Sequence, residues 1–277
     1  MQKITGFLFT CIIGVISTVS SAQNNTVPVW DASMNKMPSE DWLVKPVNAH
    51  AQIFHSTDNK DIILYNGLVK RVFRLSPNLV CIDYTNMING RQMLRAVTPE
   101  ARLTINNKKY NVGGLYGQKE RAYLLPEWLD KFKASDSDFH YVSYTVTDIP
   151  PYIHWQTKTW ASNTQQPKGK MISFLYRSTV LKELVVKVNY ELYDGLPLIV
   201  KWIQVINPGN AVCKLNRVVS ELLATVEEES SVIGTGDADE TQRDDNKPLN
   251  SFPKVSKHHR AFTLKQIMPL TMRCVMY

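Results

Sequence analysis

Apolar and polar side chains alternate most cleanly across residues 185–207. Val186, Val188, Tyr190 and Leu192 interleave with Lys187, Asn189 and Glu191, the period-two pattern of a half-buried strand. Asp194-Gly195 interrupts the run, and residues 198–206 resume strand-forming chemistry, so the stretch predicts a hairpin. Two registers compete. A two-residue Asp-Gly turn pairs Tyr193 with Leu196 and sets Val188 opposite Lys201, which puts a lysine on the apolar face. A three-residue loop, Tyr193-Asp194-Gly195, pairs Leu192 with Leu196, Tyr190 with Leu198, Val188 with Val200 and Val186 with Trp202. The second register keeps one continuous apolar face and gives Gly195 the positive φ such a loop needs. It is the preferred reading. It makes Trp202 a core residue, Asp194 a turn residue, and Glu191, Lys187 and Lys201 occupants of a solvated face.

The same patterning predicts strands over 61–64, 67–75, 79–85, 101–105, 109–112, 139–147 and 171–177. Ser76-Pro77-Asn78, Asn89-Gly90, Asn106-Asn107 and Asn207-Pro208-Gly209-Asn210 punctuate them as turns. Residues 212–226 read as one or two further strands, with a helix as the weaker alternative. Residues 125–132 predict one short helix, with Pro126 in its first turn and Leu125, Trp128, Leu129 and Phe132 on one face. The three glycines of residues 113–117 form a loop whose spacing fits neither the P-loop nor the dinucleotide pattern. Many short strands with one helix predict an all-β, large antiparallel β-sandwich.

Four segments follow from composition. Residues 1–22 read as a secretory signal, with Lys3, an apolar stretch and a Ser-Ser-Ala cleavage site; a retained N-terminal anchor is the alternative. That reading predicts a secreted or periplasmic protein with no transmembrane span after cleavage. Residues 23–47 form an extended leader that lays Trp30 and Trp42 on the domain, residues 48–230 form the sandwich, and residues 231–277 form a linker and irregular tail. The tail alters the reading of charge. The chain carries +7, but Lys3 and five tail cations account for six of those charges, so residues 23–253 carry only +1. Nucleic-acid binding would want a basic patch on the folded body, and nothing in this balance demands one, so no nucleic-acid partner is expected.

Cysteine and histidine narrow the chemistry further. Cys81 and Cys213 are expected as buried thiols in strands, with a disulfide between them as the alternative. His258-His259 has no companion ligands, so no metal and no cofactor is predicted.

The motif Tyr190-Glu191-Leu192-Tyr193-Asp194-Gly195-Leu196-Pro197, the following Lys201-Trp202 and Asn207, and Val112-Gly113-Gly114-Leu115 carry a resemblance. Residues 48–226 resemble the N-terminal β-supersandwich domain, galactose mutarotase-like in fold, of glycoside hydrolase family 36-type α-galactosidases. In that family the catalytic aspartates lie in a (β/α)₈ barrel that follows the sandwich. Lys201-Trp202 is followed by Ile203, so it does not match the family's Lys-Trp-Asp nucleophile motif, and no catalytic residue carries over. The resemblance therefore implies a non-catalytic, exported sandwich, with a separate or missing barrel as its partner. The composition switch near Lys254 adds the expectation of a truncated member of that family, with a frameshifted tail as one form of it. A free-standing carbohydrate-binding or surface-assembly module is the alternative, and an epimerase-like enzyme a third.

Sugar contact requires an aromatic face for C–H groups beside hydrogen-bonding side chains. His154, Trp155, Lys158 and Trp160, in the polar-aromatic strand expected over 152–160, are the carbohydrate-binding candidates. Trp155 as core and Trp160 as an edge residue is the competing structural reading.

Overall fold

The alternation becomes strands almost everywhere it occurs. The structure, a computed structural model, describes residues 27–45, 47–119, 122–151 and 167–226. Among these the strands are β1 (Gln52–His55), β2 (Asp61–Tyr65), β3 (Val69–Arg74), β4 (Val80–Asn86), β5 (Arg91–Gln92), β6 (Leu94–Ala96) and β7 (Ala101–Ile105). They continue with β8 (Lys108–Val112), β9 (Phe139–Asp148), β10 (Gly169–Ser178), β11 (Val185–Tyr193), β12 (Ile199–Ile206), β13 (Leu215–Val219) and β14 (Ala224–Thr225). The first five form one sheet in chain order. A seven-stranded sheet runs β12-β11-β10-β9-β8-β7-β13, and β14 pairs with β6. Among the described strands every pairing is antiparallel except that of Val112 in β8 with Phe139 in β9, and Val29, outside them, bridges His55 in parallel. This is an all-β, sandwich-like arrangement.

Side chains from both large sheets meet in one core. Phe73 of β3 lies 5.2 Å from Phe174 of β10 and 5.0 Å from Tyr190 of β11, ring centroid to centroid. Ile62, Leu64, Leu103, Ile105, Ile172, Val186 and Val188 fill in around them, all buried. Asn106 and Asn107 both adopt positive φ, as the tight β7–β8 turn demands. Trp30 lies on the first sheet, edge-on to Phe54 and Tyr65 at 5.2 and 5.0 Å.

The central hairpin departs from the expected register. Leu192 pairs with Ile199, Tyr190 with Lys201, Val188 with Ile203, Asn189 with Trp202 and Lys187 with Gln204. Residues 193–198 form the loop, longer than either expected turn, while Gly195 does take positive φ, +64°. Lys201 thus shares the inner face with Tyr190, the placement that seemed prohibitive. Two carboxylates waiting inside make it favourable. Trp202 lies half-buried on the other face, and its Nε1–H donates to Glu191 Oε1 at 2.7 Å. Glu191 is fully buried rather than solvated, and also accepts from the Tyr193 hydroxyl at 2.7 Å.

Two smaller expectations also change. The predicted helix is a 3-10 helix, Pro126–Lys131, because Leu125 caps it in an extended conformation without a side-chain hydrogen bond and so short a segment does not nucleate an α-helix. Its Leu129 and Phe132 are buried against Val80 and Leu115. Cys81 is a buried strand thiol that burial pushes up to about 12 against the opposing pull of the Arg71 guanidinium. Cys213 is instead half-buried in the segment before β13, and both thiols are free.

Candidate functional site

Two groups of polar side chains stand out, one largely buried between the sheets and one open at the loop of the central hairpin. The buried group joins Arg71 of β3, Glu100 before β7, Tyr190 of β11, Lys201 of β12 and Glu221 after β13. Arg71 Nη1 and Nη2 reach the two oxygens of Glu221 at 3.4 and 3.3 Å. Lys201 Nζ donates to the Glu100 carbonyl at 2.6 Å and approaches Glu100 Oε2 at 3.3 Å and Glu221 Oε1 at 3.1 Å. The Tyr190 hydroxyl donates to Glu100 Oε2, and the Cys81 N–H donates to Glu100 Oε1 at 3.2 Å. Aromatic faces of Tyr190, Tyr84 and Phe73 surround the Arg71 guanidinium at 4.8, 5.1 and 5.3 Å.

Two cations and two carboxylates balance. Burial works against ionisation of Glu221, but Lys201 and Arg71 overcome it and hold its carboxyl at about 2. Burial, with Glu100 and Glu221 adding to it and Arg71 opposing, pushes the Tyr190 phenol well above its ordinary range, so it stays a neutral donor. A general acid or base needs a group poised near the working pH. Glu221 and Tyr190 are far from that condition on opposite sides. Arg71 and Lys201 are only 4% and 7% exposed in their side chains and Glu221 is a quarter exposed, so the cluster is a largely buried clamp across the sheets.

The open group surrounds the loop of residues 193–198. Asp194 is its hub. Its Oδ1 accepts the Ala51 N–H at 2.7 Å, its Oδ2 lies 3.1 Å from His50 Nδ1, and its own N–H donates to the Lys168 carbonyl at 3.0 Å. The Gly195 N–H donates to the Ala49 carbonyl at 3.2 Å, so the strand entering β1 is clipped onto the hairpin at two points. Gly169 permits the close approach on the other side, since a Cβ there would stand 2.1 Å from the Leu192 carbonyl oxygen. The result is a cleft of about 550 Å³ lined by residues that include His50, Gln52, Asp148, Ile149, Lys168 and Lys170. Lys170 Nζ binds Asp148 Oδ1 at 2.6 Å across its wall.

His154, Trp155, Lys158 and Trp160 lie outside the described residues, as do the expected signal, the strand over 152–160, and the tail with His258-His259. The chain passes out of the described structure after Pro151 and returns at Pro167, and both Ile149 and Pro167 line the cleft. Asp194 was legible as a turn residue, from its place before Gly195. Its additional role as an anchor for His50 and Ala51 was not, because partners more than a hundred residues away leave no local pattern. Among the described residues no group of three His, Cys, Asp or Glu is arranged to hold a metal, and no helix is long and apolar enough to cross a membrane. No family model matches the chain, and no curated protein matches it.

Proposed function

We propose that this chain is an exported, non-catalytic β-sandwich domain of an α-galactosidase-like glycoside hydrolase, which contacts oligosaccharide and supports a catalytic barrel. One observation carries the non-catalytic reading: the acidic side chains around the central hairpin are committed to structure. Asp194 holds Ala51 and His50, Glu191 holds Trp202 and Tyr193, Glu100 holds Tyr190 and Lys201, and Glu221 holds Arg71 and Lys201. Glycoside hydrolysis needs two carboxyl groups flanking a bond, one of them free to exchange a proton. The glycosidase assignment rests on the resemblance of the hairpin motif and is supported by the antiparallel sandwich that contains it.

The purified chain should release no aryl alcohol from an aryl α-galactoside, yet should bind an immobilised α-galactoside oligosaccharide saturably. Turnover above the buffer rate would overturn the non-catalytic reading. Mutarotation of free galactose would point instead to an epimerase-like enzyme.

A further inference from the structure

The cleft beside Asp194 has the chemistry of a sugar subsite. Its volume, about 550 Å³, falls within the range of small-ligand pockets, and it remains open at the mouth. The formal charges of its walls balance: Lys168 and Lys170 are matched by Asp148 and Asp194, leaving no net charge to select an anion. Asp194 Oδ2 lies 3.1 Å from His50 Nδ1, which leaves Nε2 as a second polar atom, outside that contact, on a side chain 72% exposed. Lys168 is exposed and supplies an ammonium donor, and Asp148 retains spare lone pairs beyond its Lys170 bond. Ile149 and Pro167 add apolar surface. Donors, acceptors and an apolar patch lining one cleft match a molecule dense in hydroxyls, with C–H groups on one face.

We propose that this cleft binds a neutral hexose unit, with His50, Asp148 and Lys168 exchanging hydrogen bonds with its hydroxyls. The inference rests on the carbohydrate-contact reading above and assigns it a place. Asp194 positions His50 and the Ala49–Ala51 backbone, and it does not need to touch the sugar.

The test is amide NMR of the purified full chain titrated with methyl α-galactoside and, separately, with galacturonate. Saturable shifts at the Ala51, Asp148, Gly169 and Asp194 amides with the neutral sugar are expected. His50→Ala and Lys168→Ala, both at exposed positions, should each weaken that binding by about tenfold with an unchanged spectrum elsewhere. Sugar-induced shifts confined to other amides would overturn the placement while leaving carbohydrate contact intact. Tighter binding of galacturonate than of the neutral sugar would overturn the assigned ligand class. Absence of binding by either sugar and by the immobilised oligosaccharide would overturn both readings together.

Discussion

A lysine on an apolar strand face looks like an error until its partners are placed. Lys201 is tolerated beside Tyr190 because Glu100 and Glu221 converge on it, and Arg71 completes a four-charge balance. Removing one partner from such a set leaves an uncompensated buried charge, which costs more than the intact set contributes. Glu221 is the member whose charge can be titrated away. Its folded pKa of about 2 lies below its ordinary 4.5, so its stabilisation is fully present above about pH 4.5 and is lost as pH falls towards 2. The shift bounds that contribution at roughly 3 kcal/mol. Urea midpoints at pH 7, 5 and 3 check this. Wild type should lose stability mainly between pH 5 and 3, whereas Glu221→Gln should start lower by about 3 kcal/mol at pH 7 and fall less over that interval. Parallel curves for the two proteins would mean that other carboxylates govern the acid transition.

The β11–β12 hairpin turns a register into a chemical arrangement. Because Asn189 faces Trp202, the indole stands against Glu191 instead of Val186, and the single polar atom of the ring becomes the one that matters. Trp202→Phe separates the two arrangements. A core tryptophan in apolar surroundings would lose only the burial and cavity terms of the smaller ring, with no coupling to Glu191. A tryptophan donating to a fully buried carboxylate should lose about 1.5–3 kcal/mol, the range for hydrogen bonds to charged groups. Chemical denaturation of Trp202→Phe, Glu191→Gln and the double variant would measure their coupling, and additive losses would contradict a direct bond. The strands themselves were legible: Ala101–Ile105 coincides with its predicted span, and Asn106-Asn107 fixed its turn. Their pairing across the long hairpin loop was not. Alternation gives the same answer for an edge lysine facing water and for one facing two hidden carboxylates, and only the tertiary partners of Lys201 distinguish them. The candidate site was less legible still. Asp194 meets Ala51 and His50 across 143 and 144 residues, and no local pattern encodes such pairs.

At the scale of the whole molecule, two buried asparagines join the sheets where apolar packing alone could let them slide. Asn66, in the turn between β2 and β3, accepts the Leu68 and Val69 N–H groups at 3.1 and 3.0 Å. The same side chain donates to the Tyr193 and Leu196 carbonyls at 2.7 and 2.6 Å, which fixes the loop of the central hairpin against the first sheet. Asn78, between β3 and β4, repeats the device against β9, donating to the Phe139 carbonyl at 3.2 Å and accepting the Tyr141 N–H at 2.9 Å. Turn propensity alone accounts for an asparagine at either place, so these cross-sheet roles leave no separate trace in the chain's pattern. The first lock also bears on the cleft, because the loop it holds carries Asp194. Asn66→Ala should leave the buried Leu68 and Val69 N–H groups and the half-buried Tyr193 carbonyl without their side-chain partner, while the Leu196 carbonyl keeps the Leu198 N–H, and should cost about 3 kcal/mol. Asn66→Asp keeps the two acceptor bonds but loses both donors to the loop. It should therefore retain the β2–β3 turn while releasing residues 193–198. Hydrogen exchange would separate these effects: faster exchange at the Asp194 and Gly195 amides, with Leu68 and Val69 still protected, is the expected signature in Asn66→Asp. Uniform loss of protection across both sheets would instead make Asn66 a determinant of global stability without a local role at the loop. Unchanged protection at Asp194 would show that Ala49, Ala51 and Lys168 hold the loop without it.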